Sequence, residues 1–181
     1  MTNPTTATQA ATALLITCGA ETIQHPGGTL LAHLHRVQAL LADWGARPAL
    51  QLAGLCHAFY GTDGFPTALL DLAERPRLTA AIGQEAEDLV YFYASCDRAT
   101  SYPTLASPNA PFRDRFTGEE LTPSLTQRRD FAELTAANEL DLARVNPAFR
   151  EEHGPDLLAL LTRFRPLLTG NAWQATTSTL A

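Results

Sequence analysis

The amino-acid sequence predicts an all-α helical bundle, and three observations carry that expectation. Apolar residues recur with helical period through most of the chain. No stretch alternates for more than a few residues as a half-buried strand would. Glycines and prolines punctuate the periodic segments where helices start and stop. At 181 residues a single domain over 1–181 is expected, with short flexible tails at about 1–7 and 172–181.

The first helix is expected over about Thr8 to Cys18, stopped by Gly19. Thr29 suits the N-cap of the next, which carries the apolar period from Leu30 to Trp44 and ends at Gly45. Arg47-Pro48 opens a central helix through Leu50, Leu52, Leu55 and Phe59 until Gly61, with Pro48 in its first turn. A short helix is expected from Pro66 to about Glu74, closed by Arg75-Pro76, and a longer one from about Thr79 to Asp97. Residues 98–123 hold four prolines, so a long loop covering the site is expected there, or a small hairpin around Thr117-Gly118. Helices resume at about Leu125 to Val145 and, with Pro155 as the start and Pro166 as the stop, Asp156 to Phe164.

Composition narrows the function classes. The formal charge is −6 and all thirteen basic residues are arginines, without the clustered basic run of a phosphate-tracking surface, so nucleic acid is not an expected partner. No apolar run reaches the roughly 18 residues of a membrane span. Cys18, Cys56 and Cys96 are odd in number and form no C-x-x-C pair, which fits a reducing cytoplasm. A small-molecule substrate is the expected partner, and a homodimer is left open because no heptad seam is sustained.

Helical projection then selects polar residues on apolar faces. His33 falls inside the stripe of Leu30, Leu34, Val37, Leu40, Leu41 and Trp44, whereas His35 falls opposite. His57 shares its side with Leu50, Ala53 and Gly54, the last two small enough to leave room beside an imidazole. Asp97 projects in line with Ala86, Val90 and Tyr93, at a helix C-terminus where a carboxylate needs a partner such as Arg98 or a metal. Two histidines and a carboxylate, His33, His57 and Asp97, suit a divalent iron, manganese or zinc ion, with His25 as a fourth ligand or a substrate contact. A histidine on an apolar face is also commonly a core residue hydrogen-bonded to backbone. Tyr60 can orient a ligand, Arg98, Arg113 and Arg115 can clamp a phosphate or carboxylate, and Asn138 can complete a pocket. The plainer alternatives are half-buried packing for Tyr60, solvated surface for the arginines, and backbone bonding for Asn138 with Asp141 paired to Arg128 or Arg129.

The stretch from His33 through L-A-G-L-C-H-A to Ala58 resembles the first helices of HD-domain metal-dependent phosphohydrolases, including the hydrolase part of alarmone-handling enzymes. The resemblance spans about Gln24 to Arg98 and implies His33, His57 and Asp97 as metal ligands, but Ala58 stands where that superfamily has the Asp that helps bridge two metals. More closely, H-P-G-G-T-L-L-A-H-L, A-G-L-C-H-A-F-Y-G-T and D-R-F-T-G-E-E-L look like an uncharacterised HD-like family of bacteria and fungi, over most of the chain. Some HD-type relatives are mixed-valent iron oxygenases. Three readings therefore stand: a metal-dependent hydrolase of phosphate esters, a mononuclear iron oxygenase with the same ligands, and a metal-free protein. The last either binds a small ligand or uses His33 and His57 as acid and base.

Overall fold

The computed structural model describes residues 4–181, so the expected tail at 1–7 lies partly outside the described residues. The fold is mostly helical, and no helix among the described residues is long and apolar enough to cross a membrane. The backbone gathers into two compact units, residues 1–94 and 95–181.

The first unit begins with α1 (Pro4–Thr17), which starts earlier than its apolar period suggests. A hairpin of β1 (Gln24–His25) and β2 (Gly28–Thr29) follows, paired in antiparallel register His25 to Gly28 around Pro26-Gly27. Gly27 takes φ 79, the positive value that the second central position of a proline-led turn requires. The helix α2 (Leu30–Asp43) starts as expected, with the Thr29 hydroxyl accepting from Ala32 N at 3.2 Å. Next comes α3 (Pro48–Cys56), which has Pro48 in its first turn and packs along α2, where Leu34, Val37, Leu41 and Leu55 are all wholly buried. It stops at Cys56 rather than running to Phe59, and His57 is its C-cap residue.

Two expectations fail in the next stretch. Residues 66–71 form no helix: Thr62 and Phe65 bridge, and Leu69 N and Leu70 N both donate to Phe59 O. Only a 3-10 turn, Leu72–Glu74, is helical before Arg75. Arg75-Pro76 then opens α4 (Arg75–Ile82) instead of closing a helix, because proline in a first turn loses no intrahelical bond. The long helix from Thr79 to Asp97 is in fact broken at Gly83, whose φ of 84 only glycine adopts readily. It restarts as α5 (Gln84–Ala94), with Glu85 and Glu87 at the electropositive N-terminus.

The second unit has a short helix, α6 (Arg98–Ser101), and a hairpin of β3 (Phe112–Arg113) and β4 (Glu120–Leu121), which meets the expectation around Thr117-Gly118. Asp114 builds that turn, its Oδ1 accepting from Phe116 N at 2.8 Å and Thr117 N at 3.2 Å. The helix α7 (Leu125–Val145) keeps its expected bounds, opened by a capping box of Ser124 and Gln127. Then α8 (Pro147–Phe164) begins eight residues before Pro155, since Asn146 caps it through Phe149 N at 3.1 Å and Pro147 fills the first turn. Pro155 sits inside it, on an exposed turn four residues after exposed Glu151, whose carbonyl it cannot serve. The expected tail at 172–181 is instead α9 (Gly170–Leu180), capped by Thr169 and burying Ala172, Ala175 and Thr176 against its unit.

Candidate functional site

The first unit assembles a row of rings from four separate elements: the β1–β2 hairpin, α2, the end of α3 and α5. From the hairpin, His25 stacks on His33 of α2, with centroids 4.1 Å apart and planes 29° apart. His33 meets His57 edge-on at 5.5 Å, and His57 meets Tyr93 of α5 edge-on at 5.6 Å. Phe65 flanks the other end, 5.8 Å from His25. His33, His57 and Tyr93 are buried, at 1%, 4% and 3% exposure, whereas His25 is half-buried. Helix periodicity on α2 thus located His33 correctly, and the sequence-expected His25 and His57 join it.

Local folding fixes each ring. Arg36 of α2 donates to Gly27 O at 3.4 Å and Pro26 O at 3.2 Å, tying the hairpin turn to the helix that carries His33. His57 Nδ1 lies 2.8 Å from Gly54 O. A carbonyl oxygen only accepts, so Nδ1 carries the proton and Nε2 of the neutral ring is the acceptor nitrogen. Gly54 is the close-approach point of α2 and α3, since a Cβ there would stand 2.5 Å from Leu41 Cδ1.

Tyr60 lies outside this row and belongs to a buried ionic network. Its hydroxyl donates to Glu87 Oε1 at 2.8 Å, and Arg75 grips the same carboxylate with Nε at 2.7 Å and Nη2 at 2.8 Å. Glu87 is 1% exposed, while the Arg75 side chain is 34% exposed and lies over the Tyr91 ring. Burial, and then the bond to Glu87, push the Tyr60 phenol well above its usual range. Tyr60 is therefore a structural donor joining the segment after α3 to α5. The sequence carries little sign of this network, because Glu87 reads as an ordinary acidic residue in the middle of the helix expected from Thr79 to Asp97.

The remaining expected residues lie in the second unit. Asp97 does not sit on a helix face, because α5 ends at Ala94; it is the N-cap of α6, its Oδ1 accepting from Thr100 N at 3.0 Å. Arg98 pairs with Glu139 at 3.7 Å rather than supplying a partner for a helix-terminal Asp97, and Asn138 Nδ2 donates to Glu139 Oε1 at 3.5 Å. Arg115 lies over its neighbour Phe116, and Arg113 is exposed on β3. Arg128 does not pair with Asp141; its Nη1 donates to the carbonyls of Leu105, Ala106 and Ser107.

The stacking of His25 on His33 does not suit a divalent ion shared by those two rings. Among the described residues no group of three or more His, Cys, Asp or Glu side chains is placed to hold a metal. An imidazole binds an ion in its ring plane at about 2.1 Å. The stacked planes of His25 and His33 run nearly parallel, so their lone pairs do not converge on one point.

Residues 14–98 match the model of a family described as a domain of unknown function, DUF6817. The matched stretch contains His25, His33, His57, Tyr60, Glu87 and Tyr93. No curated protein and no solved structure matches the chain.

Proposed function

We propose that the first unit is a metal-free acid–base site for a small molecule, with His57 as general base and His33 as its partner, on a divergent HD-like helical scaffold. The observation that carries this reading is the bond from His57 Nδ1 to Gly54 O, which presents Nε2 as the basic nitrogen. Imidazole titrates near neutral pH, so Nε2 can take a proton from a water or hydroxyl group and return it to a leaving group. The Gly54 carbonyl then holds the imidazolium by its Nδ1–H. The reaction class this suits is hydrolysis, with phosphate esters as the first substrates to examine. His25, half-buried at the end of the row, would meet the substrate, and the three free thiols of Cys18, Cys56 and Cys96 agree with a reducing compartment.

The metal-dependent reading draws on the same bond, because metal-bound histidines commonly donate their second nitrogen to a carbonyl. A single assay separates the two. Purified full-length protein is offered para-nitrophenyl phosphate and para-nitrophenyl acetate in chelator, and again with added iron(II), manganese or zinc. Turnover that persists in chelator, follows a pH profile set by a group near neutrality, and disappears in His57→Gln and His33→Gln supports the proposal. Turnover that appears only with added metal would sink it in favour of a metallohydrolase. Oxygen consumption with iron(II) would instead indicate an oxygenase.

A further inference from the structure

In the second unit, on the fourth residue of α7, Arg128 is only 5% exposed, although a guanidinium keeps its charge at any ordinary pH. A buried cation of this kind is normally matched by a carboxylate, since leaving it unmatched costs several kcal/mol. Among the described residues none lies within ion-pair distance of Arg128: neither Asp130, two positions on, nor Asp141 supplies the charge. What Arg128 has is three carbonyl dipoles, from Leu105 at 3.3 Å, Ala106 at 3.2 Å and Ser107 at 3.0 Å. All three converge on one nitrogen, Nη1.

The other side of the guanidinium is the informative one. Among the described residues the buried Nε has no acceptor and Nη2 makes no bond. Nε–H and the neighbouring Nη2–H point the same way and form the planar fork that accepts two oxygens of one carboxylate or phosphate. The carbonyls on Nη1 fix the plane of the group and so orient this fork. We infer that Arg128 is an oxyanion-binding residue, and that the Nε/Nη2 fork takes the carboxylate or phosphate group of a small ligand. The anion would supply the missing charge and the missing acceptor together. This inference is independent of the histidine row, and it assigns to Arg128 the recognition expected from Arg98, Arg113 or Arg115.

The test follows the side-chain Nε–H resonance of Arg128 in the full-length protein, assigned by its absence from Arg128→Lys, during titration with inorganic phosphate and with succinate at constant ionic strength. Binding moves that resonance saturably and raises the melting temperature, and Arg128→Lys weakens the thermal effect at least tenfold in concentration. A response to phosphate alone identifies a phosphate ligand, and one to succinate alone a carboxylate. An Nε–H signal that neither anion moves, and that shows cross-relaxation to a long-lived water, would overturn the inference by showing that an internal water fills the fork. Should Arg128→Lys fail to fold, resonance assignment by conventional backbone-to-side-chain correlation lets the wild-type titration decide alone.

Discussion

Replacing Glu87 by alanine removes the acceptor of Tyr60 and Arg75, and of Gln84 Nε2 at a marginal 3.5 Å. Arg75 contributes two charge-assisted bonds, at 2.7 and 2.8 Å, and Tyr60 one at 2.8 Å. Breaking a fully buried ion pair costs about 3–5 kcal/mol. That range must be discounted here because the Arg75 side chain is 34% exposed and can be resolvated once Glu87 is gone. The Tyr60 hydroxyl cannot move out so readily: the residue is 3% exposed, and a stranded buried donor costs about 1–3 kcal/mol. The sum expected for Glu87→Ala is about 3 kcal/mol, equivalent to a fall in melting temperature of about 10 °C. Urea denaturation followed by circular dichroism measures it. Glu87→Gln, which keeps one acceptor, should lose about half as much. A Glu87→Ala protein within about 1 kcal/mol of wild type would show that the network is not a stabilising joint between the segment after α3 and α5.

Other outcomes follow from the same geometry. Tyr60→Phe should cost about 1 kcal/mol at neutral pH, since Glu87 keeps Arg75. It should also flatten the alkaline limb of stability. An unfolded tyrosine releases its proton near pH 10 while Tyr60 retains its own when folded, so wild-type stability is intact below pH 10 and falls as pH rises above it. Glu133, 6% exposed and bonded to the Thr169 hydroxyl, has its carboxyl pushed up chiefly by burial. Its contribution is therefore present at acid pH and lost as pH rises beyond the ordinary value of 4.5, and Glu133→Gln should raise the melting temperature at pH 7 relative to pH 4. Gly54→Ala should destabilise by about 1–2 kcal/mol, because the added methyl meets wholly buried Leu41 at 2.5 Å and outweighs the gain in helix propensity; a chemical denaturation curve matching wild type would contradict this.

Much of this architecture was legible in the sequence where one residue has one dominant local preference. Thr29 and Pro48 set helix starts that later packing did not overrule. His33 was found because a polar residue inside an apolar stripe has few places to go. Errors came where one residue serves two roles. Pro76 and Pro155 read as boundaries, yet proline is tolerated in a first turn and at a solvent-facing turn of a longer helix. Gly83 lies inside an otherwise continuous apolar period, so projecting Asp97 onto an apolar face extends a helix that ends at Ala94. Arg128 was readable in part: it precedes Phe131 by three positions and thus shares the inward stripe of α7. Its neutralisation by carbonyls from residues 105–107 depends on long-range contacts that no local pattern encodes.

The protonation pattern of His57 decides whether Nε2 is its basic nitrogen. A long-range proton–nitrogen correlation spectrum of the full-length protein near neutral pH, recorded with and without chelator, reports both ring nitrogens. The bond to Gly54 O requires Nδ1 to be the protonated, pyrrole-type nitrogen and Nε2 the unprotonated, pyridine-type one, with no change expected on adding chelator. A protonated Nε2, or an Nε2 signal displaced by a metal that chelator releases, would contradict it.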